Sequence, residues 1–451
     1  MTLAQTAAIL GGELAGADVG YSDVCTDSRK LKSGDLFVAL RGERFDGHDF
    51  VEQAAAAGAV AALVDQRYRR PVPLPLARVA DTTQGLADLA AHWRSRFTVP
   101  LIAVVGSNGK TTVKEMIATC LRAHYGEAAV LATRGNLNNH IGLPLTLLTL
   151  RESHRVAVIE LGMNHPGETA QLARIARPTI GVINNAQREH QEFMRSVADV
   201  AAEHADLLRA LPAQGIAVIN ADDGHAATWR VAAAPRVVRD FGIGAAAIHG
   251  GCVLHADGSD VSVSGAAGTV TFRLPLAGEH NVRNALAAIA AATAAGATLQ
   301  ACAGALAGFA AVKGRLQMKS GRLGARLIDD SYNANPDSVR AAIDVLAATD
   351  GRRLLVLGDM GEVGDQGETF HREIGAYARS RGVDALLATG VMTPASVQAF
   401  GDGATHHAQI ESLIAGVAAQ LGREVTVLVK GSRFMKMERV VQALEANKAE
   451  S

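Results

Sequence analysis

The sequence predicts an α/β protein of three domains: a small N-terminal α/β domain, a central domain built on a mostly parallel sheet, and a C-terminal Rossmann-like domain. Short apolar runs alternate with helical patterns, which is typical of βαβ units. The length of 451 residues also exceeds a single core, since domains usually contain about 100–200 residues. Changes of pattern divide the chain into residues 1–98, 99–311 and 312–451.

The N-terminal domain is predicted from two strand-like runs and two helical patterns. The runs Asp35–Leu40 and Ala59–Val64 are rich in apolar residues. Helical spacing covers Phe50–Ala57 and Thr83–Phe97. This alternation favours a small α/β unit.

The central domain begins with the all-apolar run Leu101–Val105, as expected of a buried parallel strand. Helices are predicted over Val113–His124 and Val282–Ala295, whereas the alternating, glycine-rich stretch Val253–Leu274 predicts antiparallel hairpins. Three more apolar runs predict strands at Val156–Leu161, Thr179–Asn184 and Gly215–Asn220.

The C-terminal domain shows the same alternation of strands and helices. Its predicted strands are Ala325–Asp329, Arg353–Leu357, Ala385–Ala388 and Val425–Val429. An open α/β sheet is therefore expected again.

Charge and hydropathy exclude several classes of function. The formal net charge is −1, so no field steers the chain towards nucleic acid or an anionic membrane. No uncharged apolar stretch approaches the roughly 18 residues of a membrane span, and the first residues lack the pattern of a signal peptide. We therefore expect a cytoplasmic protein.

A glycine-rich loop follows the first strand of the central domain and opens a helix. Its residues are Gly106, Ser107, Asn108, Gly109, Lys110, Thr111 and Thr112. Glycines let backbone N–H groups approach phosphate oxygens, and the helix dipole favours the anion. Lys110 is expected to neutralise the β- and γ-phosphates of ATP, and Thr111 to ligate Mg²⁺. The loop predicts nucleoside triphosphate binding.

A carboxylate beside such a loop is a candidate magnesium ligand. Glu160 ends the strand Val156–Leu161, and parallel strands present their carboxyl ends at one edge of a sheet. Oxygen ligands suit Mg²⁺. His190 follows the next predicted strand, where its residue type alone does not decide between a structural and a functional role.

The glycine loop departs from the usual Walker spacing, because Val104 stands where the first glycine would fall. The shorter form resembles the Mur ligase superfamily, which includes folylpolyglutamate synthetases, and the resemblance extends over nearly the whole chain. It implies ATP and Mg²⁺ as cofactors, with Thr111, Glu160 and His190 as metal-binding residues. Lys110, His190 and Arg315 would act in catalysis, although His190 could either bind metal or position an acyl phosphate.

The resemblance also implies further binding residues. Adenine and phosphate contacts would come from His280, Asn281, Asn284, Arg315 and Asp330. Substrate contacts would come from Ser28, Arg29 and Arg41 in the N-terminal domain, Asn138 and Asn139 in the central domain, and Asn333, Asn335, Lys430 and Arg433 in the C-terminal domain.

The run from Ser331 to Pro336 resembles one branch of this superfamily, which adds D-alanyl-D-alanine to UDP-N-acetylmuramoyl-tripeptide in peptidoglycan precursor synthesis. Residues 1–98 would bind the UDP-linked substrate, residues 99–311 ATP, and residues 312–451 the dipeptide, while completing the ATP site. A monomer without nucleic-acid partners is expected. A diaminopimelate-adding or folylpolyglutamate-type ligase is disfavoured, because the run from Ser331 to Pro336 is present and the Asp-Asn-Pro-Arg run of the diaminopimelate-adding relative is absent. The other alternative is a P-loop regulatory ATPase.

One residue departs from the superfamily pattern. The resemblance implies a carbamoylated lysine that helps to hold a second magnesium, and His204 occupies its position. No lysine lies between Lys114 and Lys313, so the carbamate cannot form there. Either His204 or Glu203 substitutes, or the second metal is held differently.

Overall fold

The computed structural model describes residues 1–446 and contains three sheets in sequence order, one in each predicted domain range. The first sheet has strand order β1-β5-β4-β3-β2. All its pairs are parallel except β1 with β5. Its strands are β1 (Glu13–Ala15), β2 (Val24–Cys25), β3 (Leu36–Val38), β4 (Ala61–Asp65) and β5 (Leu76–Val79). Its helices are α1 (Leu3–Ile9), α2 (Val51–Ala56) and α3 (Thr82–Ser95).

The central sheet has nine strands in the order β14-β13-β12-β11-β10-β9-β6-β8-β7. The strands are β6 (Leu101–Val105), β7 (Val130–Ala132), β8 (Val156–Glu160), β9 (Ile180–Ile183), β10 (Ile216–Asn220), β11 (Val237–Gly242), β12 (Ile248–His255), β13 (Gly258–Gly265) and β14 (Gly268–Leu274). The helices are α4 (Lys110–Tyr125), α5 (Gly142–Leu148), α6 (Glu168–Ala176), α7 (Val197–Arg209), α8 (Ala226–Ala233), α9 (Glu279–Ala294) and α10 (Leu299–Ala307). Pairs from β7 to β12 are parallel, while β12, β13 and β14 form the antiparallel hairpins.

The C-terminal sheet has strand order β15-β16-β20-β17-β18-β19. Only β15 runs antiparallel to its neighbour within this sheet of the described chain. The strands are β15 (Gln317–Ser320), β16 (Arg326–Asp330), β17 (Arg352–Gly358), β18 (Ala385–Thr389), β19 (Ala404–His407) and β20 (Val425–Lys430). The helices are α11 (Pro336–Ala347), α12 (Gly367–Ser380), α13 (Thr393–Phe400), α14 (Ile410–Ala418) and α15 (Glu438–Leu444).

Sheet register brings the chemically important strand ends together. In the central sheet, Val104 pairs with Glu160 and Val105 with Ile183, so the glycine loop, Glu160 and the chain after β9 begin at one edge. In the C-terminal sheet, Asp330 at the end of β16 pairs with Lys430 at the end of β20. These are the edges where ligands bind in open α/β sheets.

Helix α3 joins the N-terminal and central domains. Arg94 on this helix is buried, and its guanidinium donates hydrogen bonds to backbone carbonyl groups. The acceptors are the carbonyls of Ala176, Phe97, Val99 and Arg177, at 2.6 to 3.4 Å. Because two acceptors lie at the end of α6, this one side chain ties the two domains together.

The predicted fold class is confirmed, and the β6 bounds agree with the apolar run. Several short strands lacked a sequence signal, among them β2 with two residues and β7 with three. Within residues 1–446, the structure contains no helix long and apolar enough to span a membrane.

Candidate functional site

A cavity of about 790 Å³ lies between the central and C-terminal domains. We call it the central cavity. The following residues predicted to bind ligands line it: Ser107, Asn108, Gly109, Lys110, Thr111, Thr112, Asn138, Asn139, Glu160, His190, His280, Asn281, Asn284, Arg315, Asp330, Asn333, Asn335, Lys430 and Arg433. Gly106 and the N-terminal residues Ser28, Arg29 and Arg41 are not part of this lining.

Two glycines of the phosphate loop adopt conformations that suit glycine alone. Gly106 and Gly109 have φ of 145° and 81°. A Cβ on Gly106 would lie 2.9 Å from the Asn184 Cβ, and one on Gly109 would lie 2.6 Å from the Asn284 Oδ1. The loop is therefore fitted tightly against its neighbours, and any side chain at these positions would displace it.

The chain after β9 fixes the shape of the phosphate loop. The backbone N–H of Ser107 donates to the Asn185 carbonyl at 3.0 Å, and that of Asn108 donates to the Asn185 side chain at 2.8 Å. The Asn108 amide also donates to Gln187 Oε1 at 2.6 Å. The loop thus forms one hydrogen-bonded unit with residues 184–187.

Lys110, the first residue of α4, points back over this loop. Its Nζ donates to the Gly106 carbonyl at 2.5 Å and lies 3.1 Å from Glu189 Oε2. Glu189 is buried. Burial alone would raise the pKa of its carboxyl, but Lys110, His204 and His190 outweigh it and lower that pKa to about 2. The carboxylate is therefore ionised and neutralises the lysine.

Glu160 offers a free carboxylate oxygen inside the central cavity. Its side chain is buried, and Oε1 accepts a hydrogen bond of 2.7 Å from the Asn138 amide. Oε2 is buried without a hydrogen-bond partner. A buried carboxylate oxygen needs a cation or donor to offset lost hydration. Glu160 and the Thr111 hydroxyl both line the central cavity and are oxygen ligands of the kind that suits the magnesium ion implied by the resemblance. No group of three acidic, His or Cys residues within 1–446 forms a ready-made metal site.

Arg315 reaches the phosphate loop from the start of the C-terminal domain. Its Nη2 donates to the Thr111 hydroxyl at 3.0 Å. The guanidinium also lies over the Tyr332 ring, 4.4 Å from the ring centroid. This stacking restricts the arginine to a position above the phosphate loop.

Residues 188 and 190 connect the central domain to the C-terminal domain. Arg188 Nη2 donates to Asp337 at 2.6 Å and its Nη1 donates to Glu373 at 2.7 Å. His190 has a left-handed φ of 48°, and its Nδ1 lies 2.7 Å from Glu362 Oε2, although the approach is not aligned for a hydrogen bond. The two domains therefore meet at the cavity wall through the Arg188 ion pairs and the contact between His190 and Glu362.

The residues predicted to contact adenine divide into two groups. His280 lies half-buried at the cavity wall, where burial, opposed by the charge of Asp330, lowers the pKa of the imidazole to about 4. Its neutral ring suits stacking. The Asn284 amide instead bonds to Asn281 at 3.2 Å and accepts from Asn184 at 2.9 Å, so it supports the phosphate loop from behind.

The predicted substrate residues of the C-terminal domain are largely committed to internal contacts. Buried Lys430 donates to Asp330 at 2.5 Å and to the Asn333 carbonyl at 3.0 Å. Asn335 caps α11 and donates to Asn108 across the cavity at 2.9 Å. Arg433 is the exposed cation, paired with Glu438 at 3.0 Å.

The predicted N-terminal residues lie in their own ionic contacts. Arg29 donates to Asp27 at 2.8 Å, while Arg41 contacts Asp46 at 3.2 Å and Asp65 at 3.8 Å. Ser28 donates to Gln53 at 3.4 Å. Arg29 and Arg41 would have to exchange these acidic partners for a ligand.

Glu203 and His204, the two residues that could replace the family's carbamoylated lysine, lie in different surroundings. Glu203 accepts 2.8 Å hydrogen bonds from the backbone N–H groups of Gly167 and Thr169, so its carboxylate caps α6. His204 is buried, with Nε2 3.3 Å from Oε1 of Glu189, and Glu189 lines the central cavity. That approach is within ion-pair distance but is not aligned for a hydrogen bond. Of the two, His204 adjoins the site.

Sequence reasoning selected His190 from its segment and missed Arg188 and Glu189 beside it. Both are charged residues in the loop that follows the carboxyl end of a buried parallel strand, which is the signal that could have identified them. Their partners lie far along the chain, and no local pattern reveals these.

The fold and the cavity define a three-domain nucleotide-binding protein with a phosphate loop between two α/β domains. Three family models match: "Mur ligase family, catalytic domain" over residues 21–94, "Mur ligase middle domain" over 104–292 and "Mur ligase, glutamate ligase domain" over 314–433. The chain belongs to the Mur ligase family.

Relatives and solved structures agree with this assignment. The UDP-N-acetylmuramoyl-tripeptide–D-alanyl-D-alanine ligases of Escherichia coli K12 and Haemophilus influenzae are 43% and 39% identical, covering 99% of this chain and 99% and 98% of their own. A crystal structure of MurF from Acinetobacter baumannii matches with TM-score 0.90 at 34% identity, covering 98% of both chains. MurF ligase from Thermotoga maritima in complex with ADP matches with TM-score 0.82 at 25% identity, covering 93% of this chain and 96% of its own.

Proposed function

We propose that this chain is an ATP-dependent ligase that joins D-alanyl-D-alanine to UDP-N-acetylmuramoyl-tripeptide, forming a C–N bond in peptidoglycan precursor synthesis. The observation that carries the proposal is the central cavity, where Lys110 of the central domain and Arg315 of the C-terminal domain converge on one phosphate loop. Curated relatives that share almost the full length of the chain act on these substrates by name. A structure of Mycobacterium tuberculosis folylpolyglutamate synthase complexed with ADP matches this chain with TM-score 0.65 at only 18% identity, so it shares the fold alone. A regulatory ATPase needs no domains for such substrates.

The chemistry follows from activation of a carboxylate. The terminal carboxylate of the tripeptide attacks the γ-phosphorus of ATP, ADP leaves, and an acyl phosphate forms. The dipeptide amine then attacks the acyl carbon, phosphate leaves, and the amine loses a proton as the amide forms. Both steps build negative charge on phosphate oxygens, so the protein contributes mainly charge neutralisation and alignment.

We assign roles to the cavity residues accordingly. Lys110 and Arg315 neutralise the transferring phosphate, and the neutral His280 ring stacks on adenine. Glu160 and Thr111 would hold Mg²⁺, which neutralises phosphate charge when bound. His190 orients the reacting phosphate. Its Nδ1 lies 2.7 Å from Glu362 Oε2.

We assign the UDP-linked substrate to residues 1–98 and its peptide end to Asn138 and Asn139. The dipeptide carboxylate is assigned to Arg433, the exposed cation of the C-terminal lining. One chain supplies all these residues, and we propose a monomer that works in the cytoplasm, where ATP is supplied.

Phosphate release tests the proposal. Release should require ATP, UDP-N-acetylmuramoyl-tripeptide and D-alanyl-D-alanine together, and mass spectrometry should show the pentapeptide product. A Lys110→Ala variant should still bind the UDP-linked substrate while losing ligation. Phosphate release that is indifferent to both substrates would contradict a ligase and favour a simple ATPase.

A further inference from the structure

A group of titratable side chains, each buried or mostly buried, lies at the phosphate loop. It consists of Glu189, Lys110, His190 and His204, and we call it the Glu189 cluster. Oε2 of Glu189 lies 3.1 Å from Lys110 Nζ and 3.7 Å from His190 Nε2, while Oε1 lies 3.3 Å from His204 Nε2. One carboxylate therefore contacts three basic groups.

The arrangement does not fit a carbamoylated lysine, which the family resemblance implies at this place. Helix α7 presents His204 there, and no lysine lies between Lys114 and Lys313. Lys114 itself is buried on α4 and donates to the Thr133 carbonyl at 2.8 Å, besides contacting Glu115. Neither position 204 nor Lys114 therefore places a carbamate in the Glu189 cluster.

We propose that Glu189 supplies, as a positioning residue, the buried negative charge that a carbamate would otherwise provide, and that His204 holds Glu189 in place. This inference rests on the proposed ligase function. Its basis is the role of Glu189 in holding Lys110. Without that carboxylate, the acceptors left to Lys110 among residues 1–446 are the Gly106 and Ser107 carbonyls. Its ammonium would then shift away from the place where the transferring phosphate binds.

Burial explains why this carboxylate requires its partners. The Glu189 side chain is 6% exposed and that of His204 is 1% exposed. A buried carboxylate is stable only when cations or donors surround it. His204 fills the side of Glu189 that Lys110 does not reach, so the two side chains form one unit in which a lysine at position 204 is no longer required.

The first test uses the unchanged chain. Ligation should proceed at the same rate in buffer stripped of carbon dioxide and in buffer with added bicarbonate. A rate that collapses on stripping and returns with bicarbonate would show that a carbamate is needed, and would overturn the inference. If the unchanged chain forms no pentapeptide under either condition, the proposed function fails instead.

The second test removes the charge. Glu189→Gln should lower kcat about 100-fold, as expected for loss of one preorganised electrostatic contact, with the KM for the UDP-linked substrate unchanged. Glu189→Asp should recover part of kcat. Glu203→Gln is the matched control, since this neighbouring buried glutamate caps α6: it should lower the melting temperature and leave kcat within about threefold of the unchanged chain.

The outcomes separate a positioning role from a structural one. A folded Glu189→Gln variant with unchanged kcat would overturn the inference, as would equal losses of kcat in Glu189→Gln and Glu203→Gln. If Glu189→Gln does not fold, Glu189→Asp and the bicarbonate comparison decide: a bicarbonate-independent chain whose Asp variant has a lower kcat at unchanged KM supports the inference.

Discussion

Substitution of Arg188 by alanine should shift the protein from a closed to an open arrangement of its central and C-terminal domains. Arg188 belongs to the central domain, and its guanidinium bonds to Asp337 and Glu373 of the C-terminal domain at 2.6 and 2.7 Å. The three side chains are 24%, 23% and 31% exposed. They are therefore partly screened by solvent.

The magnitude follows from the number and exposure of these contacts. Hydrogen bonds between charged groups contribute about 1.5–3 kcal/mol each when well shielded, and exposed ion pairs contribute less than about 1 kcal/mol. With partial exposure, about 1 kcal/mol for each carboxylate gives about 2 kcal/mol. Because 1.4 kcal/mol corresponds to a factor of ten, the closed state should lose about 30-fold in population relative to the open state.

Two measurements check this value. The KM for D-alanyl-D-alanine should rise by up to about 30-fold, and small-angle scattering with ATP and the UDP-linked substrate should show a larger radius of gyration. Arg340→Ala is the matched control, because Arg340 also bonds to Glu373, at 3.1 Å, but lies within the C-terminal domain. If Arg188→Ala leaves KM and scattering unchanged, or if Arg340→Ala has the same effect, the contacts of Arg188 with Asp337 and Glu373 do not hold the domains together.

Two further predictions concern stability. The pKa of His280 is about 4 in the folded chain and near 6.5 in an unfolded one, so the unfolded chain binds the proton first as the pH falls. The contribution of His280 to the free energy of unfolding should be fully present above about pH 6.5 and decrease towards pH 4. The urea midpoint of His280→Asn should therefore depend less on pH over this range. A variant with the same slope as the unchanged chain would contradict the assigned pKa. Arg94→Met should lower the free energy of unfolding by about 2–4 kcal/mol, because buried carbonyls lose their donor. Arg96→Met, at an exposed position two residues further along, should lower it by less than about 1 kcal/mol in the same urea titration, and equal losses would contradict the role of Arg94.

Much of the fold followed from local pattern. The runs at Leu101–Val105 and Val156–Leu161 predicted β6 and β8 because strands buried on both faces need uninterrupted apolar residues. Short strands carry no such signal. The two residues of β2 are only half-buried and are recognised by their pairing with β3.

The site was harder to predict for a related reason. Lys110 was found because it belongs to a recognisable glycine-rich loop after β6, and Glu160 because it ends β8 beside that loop. The sequence cannot show that Arg41 faces Asp46 and Asp65, or that Lys430 is buried against Asp330. Charged residues give no periodic signal, and their partners are fixed by tertiary packing alone.

The chain after β9 contacts three parts of the site that lie far apart in the sequence. Gln187 bonds to Asn108 in the phosphate loop, Arg188 reaches the C-terminal domain, and Glu189 holds Lys110. Because these residues are consecutive, we expect a shift of the phosphate loop on nucleotide binding to move Arg188 and its contacts with the C-terminal domain as well. The phosphate loop and the contact between the two domains are therefore connected through consecutive residues, and we expect nucleotide binding and domain closure to be coupled.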